Sequence, residues 1–326
     1  MTSPLFYLET FRRRVFYFKE SGALLAAIAV FIFLSIQVPD RFFHSRSIES
    51  ILILLTQKGI VAAAMTLLII GREIDISVGA VYAFVSMLFA DLIIKQGLNE
   101  WLALTIALLV SLPIGFFNGI LATKFRIPSL VATLATLMIW RGVSLGLWGA
   151  APLAYDVNLD SLTILGGTFL GRAGFNFSFI WLILVVLILF LILEKTDFGN
   201  KVYATGGNPI AAKEMGVNTD RVKIILFMLT SFCAGLSGII QFGHLRLVAA
   251  TAGDGLELEV IGATVIGGTS LFGGVGSVIG SIIGAFLMAE VSIGIILMGI
   301  SSYWYRAFVG GALIAAILIN LMVRRR

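Results

Sequence analysis

The densest group of chemically capable side chains is Gly71-Arg72-Glu73-Ile74-Asp75-Ile76-Ser77-Val78-Gly79. Three charges, a serine and two glycines stand there between apolar runs, with hardly any turn between them. Carboxylates such as Glu73 and Asp75, or Glu290 further on, suit an ion site. Hydroxyls and amides such as Ser77, Asn118 and Thr269 suit a sparse hydrogen-bonding lining. Charge at membrane depth is expensive and usually faces a cavity or a partner. A plain loop would not return to an apolar run as early as Ile76, so the segment reads as a broken helix from Glu73 through Gly79. Freed N–H and C=O groups of such a break are satisfied only inside protein or beside water, and breaks of this kind line solute sites in several transporters. The alternative is a tight loop whose acid pairs with Arg72.

The other deep polar groups carry weaker signals. Asn118 follows Pro113 and Gly115 in an apolar run and is placed to face a cavity. Thr133 and Thr136 read as bonded to their own helix carbonyls, and Arg141, after Trp140, as a snorkelling cation. Glu290 has no obvious partner nearby in sequence. Cys233 is the only cysteine, and His44 and His244 stand far apart. That leaves no disulfide, no metal-ligand set and no nucleophile–base pair, so an enzyme and a bound cofactor or metal are not expected.

Residues 262–284 read GATVIGGTSLFGGVGSVIGSIIG. The phosphate loop G-x-x-x-x-G-K-[ST] fails for want of its lysine, and G-x-G-x-x-G fails because Gly274-x-Gly276 is followed by Gly280. Small residues four apart, Gly276 with Gly280 and Gly280 with Gly284, instead permit close helix packing in lipid. Gly267-Gly268-Thr269-Ser270 and Gly273-Gly274 read as helix breaks that expose backbone.

The elements that must carry these residues follow from composition. The 326 residues are 59% apolar and 13% charged, with a mean hydropathy of +1.03. A soluble domain is nearer 45–50% and about 25%. An all-α integral membrane protein is therefore expected, with spans of about 20 residues. Apolar runs place them at 22–38, 51–71, 78–94, 101–123, 127–148, 177–193, 222–243, 256–272, 277–299 and 304–323, about ten in all. Those at 78–94 and 256–272 carry charge at their starts and read equally as half-helices. With the amino terminus inside, the inner side receives most of the Lys and Arg. The outer side receives Arg41, Arg46, Lys58, Lys95, Arg141, Arg172, Arg246 and Arg306. That bias favours cytoplasmic termini, and it accounts for the net charge of +5 without nucleic acid.

Residues 1–21 form an amphipathic segment with Arg12, Arg13 and Arg14 among aromatic rings, suited to the lipid interface. Residues 22–326 then form one polytopic unit, with long loops at 149–176 outside and 194–221 inside. Glu73-Ile-Asp75 before Gly79-Ala80 is echoed by Glu257-Leu-Glu259 before Gly262-Ala263, on opposite sides of this map. An inverted-topology repeat would give that pattern, and so would chance in a glycine-rich chain.

Three segments together resemble one family. Glu73-Ile74-Asp75-Ile76-Ser77-Val78-Gly79-Ala80 resembles the E-I-D-L-S-V-G motif of sugar permeases. Gly206-Gly207-Asn208-Pro209-Ile210-Ala211-Ala212-Lys213 through Gly216-Val217-Asn218-Thr219-Asp220-Arg221-Val222-Lys223 resembles their inner loop. Leu256 through Gly274 resembles their late glycine segment. The family is the transmembrane subunit of bacterial ribose-type ABC importers, related to branched-chain amino-acid permeases, and the resemblance covers about residues 45–320. It implies an inner-membrane permease for a monosaccharide (pentose, hexose or deoxysugar) that pairs with a second permease subunit. It also implies cytoplasmic ATP-hydrolysing subunits, which use the ATP, and a periplasmic sugar-binding protein.

The resemblance further implies that Gly207 through Gly216 dock on the ATPase. The residues agree: Asn208-Pro209 can start a short helix with Pro at its first position, and Gly216 can end it. Ile210, Ala211, Ala212 and Met215 offer a small apolar face with Lys213 and Glu214 beside it. The family often has Ser where Met215 stands. A bland alternative is an interfacial helix that touches no partner. An ion-gradient transporter remains the competing class.

Overall fold

The computed structural model describes residues 20–155, 159–167 and 176–324. The expected amphipathic segment at 1–21 lies almost wholly outside the described residues, and the 149–176 loop lies partly outside them. In chain order the helices are α1 (Ser21–Gln37), α2 (Pro39–Phe42), α3 (Ser45–Ile70), α4 (Val78–Ile94), α5 (Glu100–Thr123), α6 (Ser129–Trp148), α7 (Asp160–Gly166), α8 (Phe177–Lys195), α9 (Asp197–Gly207), α10 (Pro209–Glu214), α11 (Thr219–Leu245), α12 (Leu256–Ile266), α13 (Val278–Leu297) and α14 (Tyr303–Arg324). Among the described residues the only strands are β1 (Leu153–Ala154) and β2 (Leu247–Val248), paired antiparallel with Leu153 opposite Val248.

Each of the ten apolar segments carries a helix. Six of them, α3, α5, α6, α8, α11 and α13, are long and apolar enough to cross a membrane. The segment 256–272 is not one continuous helix. α12 has 11 residues, about 16 Å at 1.5 Å per residue, or half of a ~30 Å hydrocarbon layer. It stops because Gly268 takes φ +93°, which no other residue type adopts without strain.

Packing grades the helices by depth. The apolar window of α3 is 89% buried and that of α6 only 22%. α3 and α11 are the inner pillars, while α5, α6 and α8 turn leucine, isoleucine and phenylalanine side chains outward. In water such faces would be a liability, and lipid is the solvent that suits them. Where helices touch most closely, glycine removes the side chain. A Cβ on Gly115 would come within 2.5 Å of the Phe227 carbonyl oxygen, and one on Gly119 within 2.8 Å of the Ile224 Cα. Gly280 faces the Gly267 carbonyl and Gly284 the Ala263 carbonyl, so the expected small-residue seam joins α12 to α13. Gly276 lies before α13 begins and packs on Ile70 and Thr269 instead.

The contact pattern repeats along the chain. α3 packs on α13 as α11 packs on α5. α4 joins α5 and α6 as α12 joins α13 and α14, and α4 lies on α11 as α12 lies on α3. The sequence echo does not carry this equivalence, since Glu73 and Asp75 precede α4 whereas Glu257 and Glu259 fall in the first turn of α12. One end of the bundle gathers the end of α3, α9, α10 and Gly273-Gly274. The opposite end gathers α2, the β1–β2 ladder and α7.

Candidate functional site

α3 ends at Ile70, and Arg72 turns the chain with φ +70°. Residues 73–77 then run without helix to the start of α4. Side chains replace the missing helical partners. The Ile74 N–H donates to Ser129 Oγ (3.3 Å) and the Ile76 N–H to Thr133 Oγ1 (3.1 Å), both on α6. Thr133 also donates to its own helix at the Ser129 carbonyl (2.8 Å), as the sequence led one to expect. Asp75 Oδ1 accepts from the Ser77 N–H (2.8 Å) and hydroxyl (2.6 Å), which fixes the residue just ahead of α4. Asn118 Nδ2 donates to Asp75 Oδ2 (3.3 Å) and to Ser77 Oγ (2.9 Å).

Asp75, Ser77 and Asn118 are all fully buried. Asn118 is therefore sealed against the break and does not face an open cavity, though its Oδ1 meets no partner among the described residues. Glu73 pairs with Lys223 of α11 at 2.5 Å, not with Arg72, whose Nε donates to the Phe272 carbonyl (3.0 Å). The Glu73–Arg72 pairing of the tight-loop alternative does not form.

A second re-entrant stretch, 246–255, approaches from the other end. Arg141 of α6 holds it: Nη1 donates to the carbonyls of Ala250 (2.6 Å) and Ala252 (2.9 Å), and Nη2 pairs with Asp254 (2.6 Å). Only 14% of the Arg141 side chain is exposed, so it grips a loop and does not snorkel. The two breaks meet where α4 and α12 begin. A Cβ on Gly79 would lie 2.5 Å from both Glu257 Oε2 and the Gly253 carbonyl oxygen, so glycine is what allows the approach.

Lys58 corrects the topology count. It sits midway along α3, buried, 2.7 Å from Glu259 of α12, and donates to the Tyr305 hydroxyl (2.8 Å) of α14. It is not an outer-loop residue. The available signal was a lysine inside the apolar run at 51–71. Glu290 is buried in α13, and neither of its oxygens has a partner among the described residues.

The glycine segment forms a joint between elements. Gly267 lies against Gly280. Buried Thr269 donates its N–H to the Thr264 carbonyl (3.1 Å) and accepts from the Ser277 N–H (3.5 Å). The Gly274 N–H donates to the Ile70 carbonyl at the end of α3 (2.9 Å). A Cβ on Gly206 of α9 would overlap that same carbonyl oxygen.

Beyond Gly207, Asn208 Oδ1 caps α10 by accepting from the N–H groups of Ile210 and Ala211 (3.2 Å each), with Pro209 at the first position. Gly216, at φ +85°, closes it, with Val217 N–H bonding the Ala212 carbonyl and Gly216 N–H the Lys213 carbonyl. These paired bonds are the Schellman termination. Ile210 is 73% exposed and Met215 85%, Ala211 is half-buried and Ala212 is buried. The outward apolar points are therefore Ile210 and Met215, while Ala212 packs on the bundle and leaves the expected partner face. Lys213 and Lys124, just past the end of α5, share Asp220 (3.6 and 3.2 Å), and Glu214 is exposed. On α9 the Tyr203 hydroxyl donates to Glu194 (2.6 Å), and burial together with that carboxylate raises the phenol pKa. Among the described residues no three His, Cys, Asp or Glu side chains converge as a metal site would require.

Residues 47–318 match the protein family described as branched-chain amino acid transport system / permease component. The chain is 34% identical over 306 residues to the autoinducer 2 import system permease protein LsrC of Yersinia enterocolitica, covering 92% of this chain and 82% of that protein. It is 33% identical over 314 residues to the LsrC protein of Escherichia coli, covering 92% and 86%.

Proposed function

The chain belongs to the branched-chain amino acid transport system permease family, and we propose that it is the membrane conduit of an ATP-driven importer for a monosaccharide or sugar-like signal. It lies in the bacterial inner membrane with both termini in the cytoplasm. A second permease subunit completes the path, a periplasmic binding protein delivers the solute, and separate cytoplasmic subunits hydrolyse ATP. The chain needs no cofactor and makes or breaks no bond in the solute. The import reading agrees with the names of the relatives.

The observation that carries this reading is α10. A helix of six residues, capped at both ends and presenting Ile210 and Met215 to solvent, is a rigid knob for a partner's cleft. The knob stands at the end of the bundle where the 71–77 break enters. A passive conduit responds to a partner only through differential binding to its two states. The helices α3–α6 and α11–α14 serve as two inverted halves, whose breaks, at Asp75-Ser77-Gly79 and at Gly253–Glu257, abut and close the path. Gly267, Gly268 and Thr269 let the end of α12 bend against α13.

The experiment is uptake into proteoliposomes of a panel of labelled pentoses, hexoses and deoxysugars, with and without the ATPase subunits and ATP. Uptake only with the complete set is expected. Uphill uptake by this chain alone would overturn the reading, as would uptake that collapses with an uncoupler at constant ATP. The ion-gradient alternative would have to run through buried Glu290, because Glu73 is paired with Lys223 and Asp75 is bonded to Ser77 and Asn118; the uncoupler arm decides against or for it.

A further inference from the structure

α6 is the most outward-turned of the long helices, together with α8, yet it holds both re-entrant segments. At its amino end Ser129 and Thr133 take the N–H groups of Ile74 and Ile76. Two turns further on, Arg141 holds Ala250, Ala252 and Asp254. From Thr133 to Arg141 is eight residues, about 12 Å along the axis. The two segments enter from opposite ends of the bundle and touch at Gly79 and Gly253.

We propose that α6 is a strut that links the two breaks, so that a displacement of residues 71–77 on one side moves residues 246–255 on the other, with Thr133 and Arg141 as its positioning residues. Three features support it. Among the helices α6 packs chiefly on α4 and α5, and little of its apolar stretch is buried, so few contacts oppose its displacement. Its two attachments are polar and directional, whereas the Gly79–Gly253 contact is one of close packing, with Tyr82 and Glu257 beside it. The attachments also differ in kind: hydroxyls accept from backbone N–H groups at one end, and a guanidinium donates to backbone carbonyls at the other. Each end thus satisfies the groups that its segment leaves without a helical partner. A charged donor shared between two carbonyls and a carboxylate is the stronger grip.

This inference rests on the proposed ATP-driven cycle, and its test separates the two. A reporter cysteine is placed at exposed Thr251 with Cys233→Ala as background. The complex assembled with its ATPase subunits is then labelled with a membrane-impermeant maleimide, with and without Mg-ATP. In the parent protein the labelling rate at 251 is expected to depend on nucleotide; absence of that dependence would refute the strut. The decisive variant is Thr133→Val, which touches only the 71–77 side. It should make the rates at 251 equal with and without nucleotide, while ATP hydrolysis continues. Arg141→Gln should do the same, and Arg141→Lys should restore part of the response. A normal nucleotide response at 251 in assembled Thr133→Val complex would overturn the strut while leaving the importer reading intact. Failure of ATP-dependent uptake in the parent complex would count against the importer reading itself. Should Thr133→Val not assemble, Ser129→Ala, which loses only the 3.3 Å bond, carries the same prediction with a smaller effect.

Discussion

Replacing Asp75 tests whether the break is built as described. Its Oδ1 accepts two hydrogen bonds from Ser77, at 2.8 and 2.6 Å, and its Oδ2 accepts one from Asn118 at 3.3 Å. Asp75→Ala leaves the Ser77 N–H and hydroxyl without their acceptor in a site with no solvent access, and halves the bonding of the Asn118 amide. Each buried polar group left unpaired costs about 1–3 kcal/mol, so the two on Ser77 together cost roughly 2–6 kcal/mol. Asp75→Asn should behave differently. Its carbonyl oxygen can keep the Ser77 bonds, and its NH2 can donate to Asn118 Oδ1, the atom without a partner, once the Asn118 amide turns over. About 1 kcal/mol or less is expected. The assay is thermal unfolding of detergent-solubilised protein followed by size-exclusion, with ATP-driven uptake by the assembled complex measured in parallel. Asp75→Ala should unfold several degrees below the parent and Asp75→Asn close to it. Equal destabilisation by both, or none by Asp75→Ala, would refute the bracing role of Asp75 and with it the argument that the break is held by side chains.

Three further outcomes are expected. Ile210→Glu, on the outward face of α10, should leave the fold intact but abolish co-purification with the ATPase subunit, and normal co-purification would move the docking site elsewhere. Lys58→Met strands the Glu259 carboxylate and should cost about 3–5 kcal/mol, whereas the double variant Lys58→Met/Glu259→Gln should recover most of it; melting of the two variants beside the parent decides. Gly206→Ala pushes a methyl group into the Ile70 carbonyl and strains the Gly274 N–H bond to it, so a loss of roughly 1–3 kcal/mol is expected in the same melts. No shift would mean that α9 and α3 are not packed as described.

The linear order of residues settled the solvent, the helices and the family. Nothing but lipid suits a chain 59% apolar and 13% charged, and apolar runs of about 20 residues bounded by Gly, Pro, Asn and charge mark the helices that sit in it. The α10 knob was legible for the same reason: Asn208, Pro209 and Gly216 act through bonds to residues only a few positions away. The break at 71–77 was legible as a break, because its cause is local.

What the break is fastened to was not legible. Lys223 lies 150 residues from Glu73, and Thr133 lies 57 from Ile76. No periodicity within one helix says which helix stands beside it. For that reason Lys58 could be counted with an outer loop when Glu259 and Tyr305 hold it inside, and Arg141 could be read as snorkelling when it grips the 246–255 stretch. Ala212 belonged equally to either face of a six-residue helix until the bundle covered one of them. A charge buried in lipid must find its partner across space, and only the assembled fold supplies that partner.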